Sequence, residues 1–137
     1  MAADGAVPLA HRVADGNSAD STTHIQTWEG LCQLLGRNDF LHVAASKLAV
    51  RTTMYHLDRR DGRFVMVLPR SRMEDQALRE WLVNHRPERT AVLWRPGPRQ
   101  EDPDDVYSVA PAPWPSREGY RVVSVLSTGK RERDAET

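Results

Sequence analysis

Apolar residues first fall into a regular pattern at Ile25, Trp28, Leu31, Leu34 and Leu35, one side of a helix, with Thr23 placed to cap its start and Gly36 and Asn38 to stop it. The 22 residues before it are rich in Ala, Gly, Asp and Ser and hold no period, so residues 1–22 are expected to form a flexible tail. "FLHVAAS" (40–46) and "AVRTTMYHLD" (49–58) carry β-branched and aromatic types and read as strands. Asp61 and Gly62 supply a turn into "RFVMVLP" (63–69), which makes residues 51–69 a hairpin. Helical spacing returns at Met73, Ala77, Leu78, Trp81 and Leu82, with Glu74 and Asp75 at the positive end of the dipole and a stop before Pro87. "TAVLW" (90–94) is a continuous apolar run suited to a buried strand, and "VYSVA" (106–110) and "YRVVSVL" (120–126) follow between proline-rich loops. Residues 129–137 are expected to be a second flexible tail.

Six short strands and two helices over residues 23–128 predict one α+β domain, a small six-stranded antiparallel split β-barrel with two flanking helices. A chain of 137 residues with 39% hydrophobic positions has material for one core. No apolar run approaches the roughly 20 residues of a membrane helix, and the single cysteine, Cys32, forms no internal disulfide. A cytoplasmic protein without a membrane anchor is expected.

Nineteen basic and nineteen acidic residues cancel overall, but not locally. Residues 37–99 carry thirteen basic against seven acidic side chains, while both flanks are net acidic. A basic centre suits an anionic ligand or nucleic acid.

Five histidines offer little chemistry. His56 and Asp58 would share a strand face, but no third partner or zinc-ligand spacing accompanies them, and no metal site is expected. Cys32 sits on the first helical stripe as a small hydrophobe. Walker loops, dinucleotide fingerprints and nucleophile elbows are absent, so no catalytic residue is assigned. The arginines are more informative. On a strand Arg51 shares a face with Tyr55 and Leu57 and can aim its fork into a pocket, while Ser71 and Arg72 add a hydroxyl, a backbone amide and a second charge; together they would clamp a phosphate. Arg59, Arg60, Arg63 and Arg70 are read as solvated turn and strand-end residues.

Residues 40–100 resemble the flavin-binding split β-barrels of the pyridoxamine 5′-phosphate oxidase group. "FLHVAAS" stands in the place of the first strand, "VRTTMYHLDRRDGRFVMVLPRSR" in that of the second and third, followed by a helix and "RTAVLWRPGPRQ". The resemblance implies that Arg51, Ser71 and Arg72 hold the phosphate of FMN, or of a deazaflavin, and that Gln100 contacts the flavin. It further implies a homodimer that, if active, is an oxidoreductase acting on a small molecule, the flavin supplying the redox chemistry. The chain departs from the family at Met73, where a lysine is usual, at Met66 and Val67, where an aromatic-threonine pair is usual, and in "ASKLAV", which lacks a Gly-x-Pro. These departures suit the alternative: a barrel without cofactor, acting as a regulatory or nucleic-acid-binding module through its basic central segment.

Overall fold

The computed structural model describes residues 5, 7–17 and 20–129, apart from the side chains of residues 20–22 and 47. Both expected tails lie partly outside the described residues. The chain falls into two compact units, Met1–Pro69 and Arg70–Thr137.

In the first unit, α1 (Asp20–Leu35) begins before Thr23, whose carbonyl instead accepts a hydrogen bond from the Thr27 hydroxyl (2.9 Å) within the helix. Gly36, at φ 64°, ends it in the left-handed region that glycine enters at little cost. Of the expected stripe Trp28 is buried, but Leu34 and Leu35 are exposed. Strand β1 (Leu41–Ala44) and a 3-10 turn (Ser46–Leu48) follow.

Residues 51–58, expected to be a strand, form the helix α2 (Arg51–Asp58). Thr53, Met54 and Leu57 are buried, the i, i+1, i+4 pattern of a helical face, and their burial outweighs the local β-preference of two threonines and a tyrosine. Asp61 and Gly62 therefore make a helix end, not a hairpin turn. Asp61 is left-handed (φ 55°), and the Gly62 amide reaches back to the Leu57 carbonyl at 2.9 Å. A Cβ at position 62 would lie 2.8 Å from Trp28 Cζ2 and 2.9 Å from the Leu57 carbonyl oxygen, so the turn also requires glycine for space. With α2 as the connection, β2 (Arg63–Met66) runs parallel to β1, Leu41 opposite Arg63 and Ala44 opposite Met66. Alternation turns His42, Ala44, Phe64 and Met66 to one side and leaves Leu41, Val43 and Val65 exposed on the other.

The second unit opens with α3 (Met73–Asn84), which begins where expected, carries Glu74 and Asp75 in its first turn and buries Leu78. Three antiparallel strands follow in the order β3 (Thr90–Arg95), β4 (Asp105–Pro111) and β5 (Val123–Ser127). "TAVLW" is exposed along its length, contrary to the buried strand expected; β3 is at the border of its sheet, and both of its faces stay open to solvent. Its register against β4 slips between Ala91 and Leu93, and Pro87 and Pro96 flank it. Ala110 in β4 is fully buried.

The chain is thus α+β, as expected, but its described residues hold five strands in two sheets and no closed barrel. No helix among them is long and apolar enough to cross a membrane.

Candidate functional site

The residues of the expected phosphate clamp are divided between the units. Arg51 is the first residue of α2 in the first unit, exposed and without a carboxylate partner among the described residues. Ser71, Arg72 and Gln100 belong to the second unit, where Ser71 and Gln100 are exposed in turns. Arg72, at the N-cap position of α3, is only 15% exposed and is engaged by two carboxylates. Its Nη2 donates to Glu74 Oε1 at 2.5 Å and to the Glu118 oxygens at 2.8 and 2.7 Å. Glu74 also accepts the Arg117 amide (2.9 Å), and Glu118 accepts the Ser116 hydroxyl (3.1 Å).

Hydrogen bonds from Arg72 first, and from the Arg117 amide second, pull the Glu74 carboxyl down to about 2. Burial pushes Glu118 up, but hydrogen bonds from Arg72, its own amide and Ser116 bring it below the ordinary value. The group carries two negative charges against one positive. It joins the start of α3 to the 116–118 loop, and an incoming phosphate would meet two carboxylates as well as the guanidinium. Met73, at the position where the family has a lysine, is exposed.

Within the first unit, Trp28, Glu29, Cys32, Gln33, Asn38 and Arg60 line an open groove of about 530 Å³. His56 does not take Asp58 as its carboxylate: on a helix the two are far apart in angle. Its partner is Glu29 of α1, at 3.0 Å from Nε2, and Arg60 Nη1 approaches the same oxygen at 3.3 Å. Trp28 meets the His56 ring edge to face, with ring centres 6.1 Å apart. This cluster escaped the sequence because Glu29 and His56 are 27 residues apart. Burial, and then Glu29, raise the Cys32 thiol above its ordinary value, which keeps it protonated and weakly nucleophilic.

His24 and His42 also face each other, and both Nε2 atoms are buried without hydrogen-bond partners. Their ring centres are 6.5 Å apart. With each nitrogen about 1.2 Å from its ring centre, the two nitrogens are at least about 4 Å apart, more than the roughly 3.4 Å subtended by two ligands of a tetrahedral zinc. Among the described residues no group of three or more His, Cys, Asp or Glu side chains is placed to hold a metal.

The outer side of α2 differs in kind. Arg51, Tyr55 and Arg59 are spaced four apart, so they stand one above another along the helix, Arg59 continuing it at helical angles (φ −63°, ψ −13°). Tyr55 is 56% exposed, and the Arg59 guanidinium lies over its ring at 5.3 Å from the centre. Asp58 is exposed beside them as the opposing charge. Four arginines are held by carboxylates: Arg37 by Asp39 at 2.8 Å, Arg79 by Asp75 at 2.7 Å, and Arg60 and Arg72 as described. Among the described residues Arg51 and Arg59 have no such partner. The sequence had joined Arg51 to Tyr55, but with Leu57 on the same strand face; in the helix Leu57 turns into the core and Arg59 takes its place.

Compared with known proteins, the chain matches no family model, no curated protein and no solved structure.

Proposed function

We propose that this chain is a cytoplasmic nucleic-acid-binding module that works without a cofactor, its contact surface being the outer side of α2. The observation that carries this reading is the pair of arginines, Arg51 and Arg59, left without carboxylates on either side of an exposed tyrosine. Unpaired guanidinium groups release condensed counterions when they meet phosphates, whereas an arginine already held by a carboxylate must first give up that partner. The direct test is fluorescence anisotropy with a labelled oligonucleotide over a range of salt concentrations. Binding should weaken linearly in log–log form as salt rises, and Arg51→Glu with Arg59→Glu should remove most of it. A wild-type protein that binds no oligonucleotide at 50 mM salt, or a double variant that binds as well as wild type, overturns the reading.

The flavin reading competes on the sequence resemblance. It needs Arg51, Ser71, Arg72 and Gln100 to hold FMN or a deazaflavin in a homodimeric split barrel, and a small-molecule substrate beside it. It must also release Arg72 from Glu74 and Glu118, and place a strand where residues 51–58 form α2. A visible absorbance spectrum taken after gel filtration separates the two readings: flavin absorbance co-eluting with a dimer supports the second, and a colourless protein that ignores added FMN removes it.

A further inference from the structure

Resting on the nucleic-acid reading, we infer that Tyr55 is a stacking platform for an unpaired base, so that the α2 surface selects single strands over duplex.

Tyr55 is more than half exposed although it stands in the middle of a helix whose opposite face is buried. Arg59 lies over one face of the ring and donates to its hydroxyl at 3.4 Å, which limits the rotamers of both side chains, so a base stacks on the opposite face or takes the place of the guanidinium. A tyrosine held in this way costs less entropy to order against a ligand than a free one. Arg51 lies one turn before Tyr55 and Arg59 one turn after it, each about 6 Å away along the axis. This places a positive charge on both sides of the ring, the arrangement that lets a backbone follow the arginines while its base turns onto the aromatic face.

A duplex keeps its bases in the stack and offers α2 only phosphates, so it gains from the two arginines and not from the tyrosine. The eight residues of α2 set Arg51 against one exposed acid, Asp58, and so carry no net charge, to which Arg59 just beyond adds one positive. The aromatic contact therefore has to supply much of the difference between the two forms of nucleic acid.

The experiment compares a labelled mixed-sequence 12-mer, single-stranded and annealed to its complement, on the full chain. Tyr55→Ala should weaken single-strand binding about tenfold, within the range for one stacked base, and leave duplex binding unchanged. Tyr55→Phe, which keeps the ring, should restore single-strand affinity. Arg51→Ala with Arg59→Ala should weaken both forms and lower the single-strand salt slope by about 1.4. If Tyr55→Ala binds the single strand as wild type does, or loses both forms equally, the stacking inference fails while the arginine reading stands. If the wild type binds neither form, the proposed function itself fails.

Discussion

Replacing Arg72 with Met keeps an unbranched apolar stem but shortens the side chain, and removes the positive charge that bridges Glu74 and Glu118. All three side chains are about 15% exposed, so the two carboxylates left behind face one another with little water between them. Breaking a mostly buried pair in this way costs about 3 kcal/mol. The pH dependence gives a second reading of the same contact. In the folded chain Glu74 titrates near 2 instead of its ordinary 4.5. That gap corresponds to roughly 3 kcal/mol at full strength, or about 2 after screening by the water that reaches it.

Because the folded value is the lower one, the unfolded chain takes up the proton first as acid is added. Wild-type stability from this group is therefore complete above about pH 5 and is lost as pH falls towards 2. In Arg72→Met the sign reverses: two close carboxylates resist ionisation, and stability should rise as pH falls from 7 to 5. Urea unfolding followed by circular dichroism at pH 7, 5 and 3 measures both effects. A variant within 0.5 kcal/mol of wild type at pH 7, or one with the same pH trend as wild type, refutes the assignment. Changing Glu74 and Glu118 to Gln in the Arg72→Met background should recover part of the loss.

Two further outcomes are expected. Gly62→Ala brings a methyl group against Trp28 and the Leu57 carbonyl and should destabilise the chain by about 2 kcal/mol with a shifted tryptophan emission; unchanged emission and stability would show that the close approach is not real. Burial first, and His24 second, lower the His42 pKa, so acid protonates the unfolded chain first and stability should fall as pH drops below about 6.5. His42→Phe should flatten that part of the profile, and a His42 ring that titrates by NMR at the ordinary value contradicts the prediction.

Much of the second unit could be read locally. The helix α3, the acids at its start and the three runs of β3, β4 and β5 are each set by neighbours within a few residues, although of the expected stripe Met73 and Ala77 are exposed and Leu78 is buried. The failure at residues 51–58 has a physical cause. Thr52, Thr53 and Tyr55 favour strands intrinsically, and only packing of Thr53, Met54 and Leu57 into the core selects the helix. Once that element was misread, Asp61-Gly62 looked like a hairpin turn, since both structures ask for a left-handed residue followed by glycine. The site contacts were hidden for another reason: Glu29 meets His56 across 27 residues, and Glu118 meets Arg72 across 46, separations at which no local pattern reports a partner. What the sequence did mark was Arg51 and Tyr55 as neighbours, a pairing that the helix keeps for a different geometric reason.

The slipped register of β3 and the prolines at 87 and 96 bear on how the protein behaves in concentrated solution. Val92, Leu93 and Trp94 would otherwise offer a sticky template to any extended chain passing by. A foreign strand that docks there meets an interrupted ladder after two or three residues, a missing amide directly after Arg95 and another three residues before Thr90, so fibril growth from this border should stall early.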